Sequence, residues 1–190
     1  MSGTRPAVFL DRDGTLSEEL DWVRRPEDLH LFAGSGAAVR KLNAAGVFVA
    51  LVTNQSAVAR GLISIAELEA IHAHLQTLLA REGARLDAIA YCPHHPTEGL
   101  GIWRTECECR KPKSGLLLRL MEEHGLDPAK SFVIGDAARD LEAGAALGIP
   151  GILVRTGKGL REQARAADAL AVVDALPQAV ELVLARLQGR

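Results

Sequence analysis

The chain has 190 residues, enough for one ordinary domain with a buried core, so a single domain is predicted over residues 1–190. Hydrophobic residues make up 48% and charged residues 24%, which argues against disorder. The formal net charge of −2 excludes an overall positive field that would recruit nucleic acid or an anionic membrane. No signal peptide or membrane span is evident, so we expect a cytoplasmic protein that functions as a monomer.

Short apolar runs alternate with amphipathic stretches along the chain. The runs are three to six residues long and carry few polar side chains, as expected of strands that are buried on both faces of a sheet. The predicted strands are Ala7–Leu10, Val47–Val52, Ala88–Tyr91, Phe132–Ile134, Ile152–Val154 and Ala171–Val173.

Helical patterns lie between these runs. The stretch SIAE at 64–67 is a capping box, and apolar residues follow it at helical spacing until Gly83. Further helices are predicted at Leu116–His124, ended by Gly125, and from about Pro177 to Leu187. This alternation predicts a Rossmann-like three-layer α/β/α fold with a central parallel sheet, which binds ligands beyond the carboxyl ends of its strands.

Polar clusters follow four of the predicted strands. DRDGT at 11–15 follows the first strand, TNQS at 53–56 the second, a stretch rich in Cys and His the third, and GD at 135–136 the fourth. The carboxyl ends of parallel strands share one edge of a sheet, so these four clusters are predicted to meet there.

Three carboxylates of these clusters suit a magnesium ion. Asp11 and Asp13 lie on one side of an extended strand end, and two close carboxylates repel each other unless a cation or a shared proton intervenes. Asp136 supplies a third acidic group, and Mg²⁺ prefers oxygen ligands. The alternative is that Asp11 and Asp13 only cap a turn at Gly14, which the clusters at other strand ends make the weaker interpretation.

Four stretches carry a family resemblance. FLDRDGTL, VTNQS, RKP and VIGDAARD resemble, in order, the four motifs of the haloacid dehalogenase superfamily of phosphatases, and they extend over nearly the whole chain. The resemblance implies that superfamily's fold, here without a separate cap domain because the chain has no room for one. The only inserts, which would form an open polar rim, are Ser17–Phe32, Ala57–Leu62 and the Cys/His stretch.

The resemblance also implies catalytic roles. Asp11 would attack phosphorus to form an aspartyl-phosphate, and Asp13 would serve as general acid and then as base. Mg²⁺ would bind the carboxylates of Asp11 and Asp136 and the backbone carbonyl of Asp13. The Thr53 hydroxyl and the Lys111 ammonium would hold the phosphoryl oxygens. Nearby, Asp140 would orient the metal ligands, and the candidate substrate contacts are Asp21, Trp22, Asn54, Gln55, Ser56 and Arg110.

Some positions have two interpretations at this stage. Trp22 and Asp21 suit contact with a sugar, but Trp22 suits equally a role in covering its own loop. Arg60 faces either the pocket or solvent. His72 and His74, on the helix that follows the capping box, are expected at the solvated surface.

All three cysteines of the chain lie in one loop, 92–109, with the pattern C-x-H-x12-C-x-C. Three thiolates and one imidazole make a closed tetrahedral set, which is typical of structural zinc. The ion would pin the loop and fix Arg110 and Lys111, which follow directly. Free cysteines are the alternative interpretation, and His95 is an alternative to His94. The predicted ligands are Cys92, His94, Cys107 and Cys109.

The zinc loop narrows the resemblance to one branch of the superfamily. FLDRDGTL, VTNQSAVARG, YCPHHP and CECRKP resemble the D-glycero-D-manno-heptose-1,7-bisphosphate 7-phosphatases and the related histidinol-phosphate phosphatases. The long segment HPTEGLGIWRTE favours the heptose enzymes, which implies a sugar bisphosphate substrate and a role in lipopolysaccharide or related biosynthesis. Histidinol-phosphate phosphatase is the alternative. Arg110 would contact the distal part of the substrate, such as its second phosphate.

Overall fold

The computed structural model describes residues 5–189, so residues 1–4 and 190 of the predicted domain lie outside the described residues. Six parallel strands form one sheet in the order β3-β2-β1-β4-β5-β6. The direction of the connections reverses at β1, which puts a ligand crevice at the carboxyl ends of β1 and β4. The strands are β1 Ala7–Leu10, β2 Phe48–Asn54, β3 Ala88–Cys92, β4 Phe132–Gly135, β5 Gly151–Val154 and β6 Ala171–Val173.

All six predicted strands are confirmed, with small shifts at their ends. The largest shift is in β2, which continues to Asn54 because Thr53 and Asn54 pair with Tyr91 and Cys92 of β3. The first polar cluster after β2 therefore begins inside the strand, and the sheet fixes the position of Thr53.

Helices occupy the connections between strands. The three helices predicted from the sequence are confirmed, and the capping box of α3 is formed: the Ser64 side chain accepts from the Glu67 N–H, and the Glu67 carboxylate accepts from the Ser64 N–H. Gly83 and Gly125 end their helices with φ of 73° and 62°. The helices are α1 Ser35–Ala44, α2 Ser56–Ala59, α3 Ile65–Arg81, α4 Gly115–His124, α5 Ala138–Ala145, α6 Gly159–Glu162 and α7 Leu176–Gln188.

The sheet separates two apolar cores, as the three-layer prediction requires. Val8 and Leu10 of β1 point to one face and pack in a core with α1, α3 and α7. Ala7 and Phe9 point to the other face, where α4 and α5 cover them. Each fully buried side chain of leucine size contributes roughly 1.5–3 kcal/mol, so this double burial holds the strand ends rigidly in place.

None of the helices within residues 5–189 has the length and apolar character that a membrane crossing requires.

Candidate active site

Asp11, Lys111, Asp136 and Asp140 meet at the carboxyl edge of the sheet. Lys111 Nζ donates to Asp11 Oδ1 at 2.8 Å and to the Val52 carbonyl oxygen at 2.6 Å, and it lies 2.8 Å from Asp140 Oδ1. All four charged residues are buried. The predicted convergence of the strand-end clusters is therefore present in the structure.

The Lys111–Asp11 pair is ionised although it is buried. Burial acts to raise the pKa of Asp11, but the Lys111 ammonium outweighs it and holds that pKa below the usual range. Burial likewise acts to lower the pKa of Lys111, and the charges of Asp11 and Asp140 raise it above its ordinary value. Burial, followed by the Asp11 charge, raises the pKa of Asp136 to about 7. If all three carboxylates were ionised, they would carry more negative charge than the Lys111 ammonium neutralises, and burial together with this repulsion raises the pKa of Asp136 and of Asp140.

A divalent cation fits this excess of negative charge. One oxygen each of Asp11, Asp136 and Asp140 lies within 4.8 Å of the others. Asp136 Oδ1 is buried and has no protein hydrogen-bond partner, whereas its Oδ2 accepts from the Lys158 N–H at 2.8 Å. Clustered anionic oxygens with one buried atom unpartnered are suited to a hard ion such as Mg²⁺.

Asp140 and Asp13 differ from the other two carboxylates. Asp140 Oδ2 accepts from the Ala137 N–H at 3.1 Å, and its buried Oδ1 makes no hydrogen bond but lies 2.8 Å from the Lys111 ammonium. This agrees with an orienting role for Asp140. The Asp13 side chain lies outside the group of three close carboxylates, which leaves its backbone carbonyl as the group predicted to bind the ion.

A turn after β5 completes the surroundings of Asp136, and the sequence reasoning missed it. A Cβ atom on Gly14 would lie 2.1 Å from Asp136 Oδ2, and one on Gly157 would lie 2.3 Å from the same atom. Thr156 Oγ1 donates to the Gly14 carbonyl oxygen at 2.6 Å, which joins the two glycine turns. The stretch RTGK at 155–158 follows a strand at the same edge, so the rule that located the other clusters could have found it.

Asp13 lies beside the acidic cluster, and its carboxylate accepts hydrogen bonds from Arg12 and Gln55. Arg12 Nε donates to Asp13 Oδ1 at 2.9 Å, and a terminal nitrogen of Arg12 donates to Oδ2 at 2.9 Å. Gln55 Nε2 donates to Asp13 Oδ2 at 2.9 Å and to Thr53 Oγ1 at 2.8 Å. Because Thr53 Oγ1 accepts this bond, its own proton is available for a substrate oxygen.

The side chains of Asn54 and Gln55 bind protein groups. Asn54 Nδ2 donates to the Lys111 carbonyl oxygen and the Lys111 N–H donates to Asn54 Oδ1, both at 3.0 Å. The Gln55 backbone N–H donates to the Cys92 carbonyl oxygen at 2.7 Å, and its side-chain N–H groups donate to Asp13 and Thr53. Gln55 also lines the cleft, so its contact with substrate stays a prediction beside the positioning role that these bonds give it.

An open cleft of about 160 Å³ adjoins Asp11 and Asp13. All six predicted substrate residues line it, and so do four charged residues that were not predicted. The predicted lining residues are Asp21, Trp22, Asn54, Gln55, Ser56 and Arg110, and the additional ones are Arg12, Glu19, Arg139 and Lys158. The Lys158 ammonium pairs with the Glu19 carboxylate, and Arg139 Nε lies 3.9 Å from Asp140 Oδ1.

Trp22 lies at the cleft, where its contact with a sugar stays a prediction. It lines the cleft, and its ring also lies 5.0 Å from the guanidinium carbon of Arg60. Arg60 in turn pairs with Glu98 of the zinc loop. The first insert and the zinc loop are therefore connected through one arginine.

The expectation of a surface position is wrong for His72. This ring is 4% exposed, packs 5.5 Å from Tyr91 and has Nε2 3.3 Å from Arg12. Burial and the Arg12 charge lower the pKa of His72 to about 3, so the ring is neutral. His72 lies four residues after Leu68 and three before Leu75, and this helical spacing could have indicated a buried side chain.

The four predicted zinc ligands lie close together, with all of their ligand atoms within 4.8 Å of one another. Cys107 Sγ lies 3.6 Å from Cys92 Sγ and 3.3 Å from Cys109 Sγ, and His94 Nδ1 lies 3.3 Å from Cys109 Sγ and 3.8 Å from Cys92 Sγ. Zinc–sulfur bonds of about 2.3 Å in a tetrahedron require sulfur separations of roughly 3.8 Å, so these four atoms fit zinc.

His95 is outside the cluster. Its Nδ1 accepts from the Glu98 N–H at 3.0 Å, and its Nε2 lies 3.5 Å from the Glu98 carboxylate. The Arg110 guanidinium, by contrast, donates to the His94 carbonyl oxygen at 3.0 Å. The cluster is thus connected directly to a residue that lines the cleft.

Comparisons with known proteins agree with this geometry. A family model described as HAD-hydrolase-like matches residues 108–179. The chain is 46% identical over 147 residues to D-glycero-beta-D-manno-heptose-1,7-bisphosphate 7-phosphatase of Rhodopseudomonas palustris, with 77% of this chain and 82% of the relative covered. It is 41% identical over 162 residues to the Pasteurella multocida protein of the same name, with 85% and 88% covered.

A solved structure is also similar over nearly the full chain. The crystal structure of D,D-heptose 1,7-bisphosphate phosphatase from B. bronchiseptica, complexed with magnesium and phosphate, superimposes with a TM-score of 0.85 at 36% identity. The match covers 95% of this chain and 98% of that one. With relatives this similar over more than three quarters of its length, the chain belongs to the haloacid dehalogenase-like family of heptose-bisphosphate phosphatases.

Proposed function

We propose that this phosphatase removes the 7-phosphate of D-glycero-D-manno-heptose 1,7-bisphosphate through an aspartyl-phosphate intermediate. The observation that carries the proposal is the Lys111 ammonium 2.8 Å from Asp11 Oδ1 at the carboxyl end of β1, beside the buried Asp136. A nucleophilic carboxylate needs a nearby cation to approach a phosphate dianion, and this pair supplies one.

The first chemical step belongs to Asp11 and Asp13. The Asp11 carboxylate attacks phosphorus, the bond from phosphorus to the sugar oxygen breaks, and the Asp13 carboxyl gives its proton to that oxygen. The Thr53 hydroxyl donates to the transferring phosphoryl group, and the Lys111 ammonium stabilises its developing charge.

The second step regenerates the carboxylate. Asp13, now ionised, takes a proton from water as the water oxygen attacks the aspartyl-phosphate, and inorganic phosphate leaves Asp11. Asp11, Asp136 and the Asp13 carbonyl oxygen would hold Mg²⁺, which supplies positive charge between the nucleophile and the phosphate when it is bound. Asp140 orients Lys111.

The cleft suits the rest of a sugar bisphosphate. Arg110 is proposed to bind the distal phosphate, since a guanidinium forms paired hydrogen bonds with phosphate oxygens. Asp21, Trp22, Asn54 and Ser56 are proposed to contact the sugar and the transferring group from the wall of the cleft.

The Cys/His cluster is proposed to hold structural zinc. Its four ligands leave no open position for substrate, so its role is to fix the loop that carries Arg110 and Lys111. We place the enzyme in heptose biosynthesis for lipopolysaccharide or a related glycoconjugate, in the cytoplasm, acting as a monomer.

Phosphate release from two substrates, with and without Mg²⁺, tests the proposal. The heptose 1,7-bisphosphate should have a kcat/KM at least about tenfold above that of histidinol phosphate, because only the bisphosphate engages Arg110. Removal of Mg²⁺ should stop both reactions. A preference for histidinol phosphate would support the alternative enzyme, and full activity in excess chelator would contradict the mechanism.

A further inference from the structure

The Arg12 guanidinium is enclosed between Asp13 and His72, although long charged side chains are normally exposed. Its side chain is 2% exposed, whereas that of Asp13 is 21% exposed and borders the cleft. Arg12 makes two parallel hydrogen bonds to Asp13 and a third, at 2.9 Å, to Gln55 Oε1. Paired bonds of this kind fix the plane of a carboxylate as well as its distance.

His72 holds the opposite side of the same guanidinium. A guanidinium has donors only, so the His72 Nε2 atom that lies 3.3 Å from it must be the acceptor. The imidazole is therefore the neutral ring with its proton on Nδ1. His72 comes from α3, which contributes no residue to the wall of the cleft, and it reaches the catalytic strand end only through Arg12.

We propose that His72 is a positioning residue for the general acid, acting through Arg12 to fix the Asp13 carboxyl in its productive orientation. Gln55 completes this arrangement by bonding Asp13, Arg12 and Thr53 at once, so the proton donor and a phosphate-binding hydroxyl keep one relative position. The inference rests on the proposed function of Asp13 as the general acid.

Substrates with different leaving groups should respond differently to a misplaced Asp13 carboxyl. A sugar alkoxide is a poor leaving group and needs the proton of Asp13 as the phosphorus–oxygen bond breaks. A p-nitrophenolate ion leaves without protonation, so attack by Asp11 on p-nitrophenyl phosphate does not depend on where Asp13 points. A misplaced acid therefore slows the first reaction much more than the second, whereas a general loss of structure slows both equally.

The experiment compares kcat/KM for the heptose bisphosphate and for p-nitrophenyl phosphate. This quantity reports the steps up to the first irreversible one, so it excludes hydrolysis of the aspartyl-phosphate. His72→Leu removes the acceptor, His72→Gln keeps an oxygen that can reach Arg12, and His74→Leu changes the neighbouring histidine as a matched control. Circular dichroism and thermal unfolding confirm that each variant is folded.

His72→Leu should lower kcat/KM for the bisphosphate about tenfold and for p-nitrophenyl phosphate less than about twofold, since general acid catalysis contributes roughly 10²–10⁴ and only part is lost by misalignment. His72→Gln should recover most of the loss, and His74→Leu should match the wild type. If His72→Leu does not fold, His72→Asn, whose amide is too short to reach Arg12, takes its place against His72→Gln.

Equal losses on both substrates, or no loss on either, would overturn the role of His72. Failure of the proposed function looks different, because the wild-type protein itself would then release no phosphate from the heptose bisphosphate. The two failures are therefore separated by the wild-type measurement in the same assay.

Discussion

The molecule contains two groups of side chains that could hold a metal ion, and they are assembled in opposite ways. The carboxylate cluster joins residues that are distant in the chain: Lys111 and Asp11 are 100 positions apart and touch only because β1 is central in the sheet. The Cys/His cluster joins residues of one loop, with Cys92 and Cys107 separated by 15 positions.

The two groups also differ in what fixes the positions of their side chains. The carboxylate cluster is held by strands whose side chains are buried in two cores, so its geometry follows from the fold. The loop at 92–109 contains only a short 3-10 turn, Gly101–Trp103, and little apolar packing of its own, so we expect its geometry to depend on the proposed zinc ion. Changes in the carboxylate cluster should therefore remove groups that take part in the reaction. Changes in the Cys/His cluster should instead displace the loop that carries Arg110.

The substitution Asp11→Asn should have the largest effect on catalysis. The amide retains the size of the side chain but is not a nucleophile, so phosphate release should fall by at least about a thousandfold. Zinc content should match the wild type, because the Cys/His cluster does not contact Asp11, whereas the free energy of unfolding should fall because the buried Lys111 ammonium loses one of its two carboxylate partners. Phosphate release at the wild-type rate would show that another group attacks phosphorus.

Lys111→Met should damage the carboxylate cluster as a structure. It leaves Asp11 and Asp140 buried without their counter-charge, which costs roughly 3–5 kcal/mol in the free energy of unfolding. Lys113→Met is a matched control two positions away, since its pair with Glu108 is exposed to solvent and contributes little to stability. Urea unfolding of both variants measures the two values, and similar losses would contradict the buried pair.

Cys107→Ser should disrupt the Cys/His cluster and disturb Lys111 less than Arg110, because the Lys111 backbone is also bound to Asn54 of β2. We expect zinc content to fall from one ion per chain, and kcat/KM to fall roughly 10- to 100-fold as Arg110 loses its fixed support. Most of the fall in kcat/KM should come from a higher KM. His95→Gln, which alters a neighbouring side chain outside the cluster, should keep both zinc and activity. Metal analysis with kinetics tests this, and a zinc-free variant with normal KM would separate the loop from substrate binding.

The smallest effect is a pH dependence that comes from His72. Its pKa is near 6.5 in the unfolded chain and about 3 in the folded protein, so the unfolded state binds the extra proton. The stabilising contribution is complete above pH 6.5 and is lost as pH falls below that value. Between pH 7.5 and pH 5.5, the free energy of unfolding of the wild type should fall by about 1 kcal/mol more than that of His72→Gln, which has no titrating ring at this position. Urea unfolding at both pH values measures the difference, and parallel behaviour of the two proteins would argue against a neutral buried ring.

The sequence predicted the fold and most of the site through one rule. Because polar residues after parallel strands share an edge, the positions of Asp11, Thr53 and Asp136 directly after apolar runs are enough to bring the three together. The C-x-H and C-x-C spacing likewise predicted the Cys/His cluster, because side chains that are close in sequence within a loop are also close in space.

Other features could not be predicted because they depend on tertiary packing. Arg12 separates two catalytic aspartates in the sequence, but whether its side chain faces solvent or the interior depends on what α3 places behind it. His72 has the spacing of a buried residue, and its polarity argued for the surface. Gly157 approaches Asp136 only because the turn after β5 crosses the end of β1.

Magnesium titration calorimetry of the wild type and of Asp136→Asn, with zinc counted in the same samples, tests the central claim most directly. We predict that Mg²⁺ affinity falls by more than about tenfold in the variant while zinc stays at one ion per chain. Unchanged Mg²⁺ affinity would contradict a divalent ion held between the ends of β1 and β4.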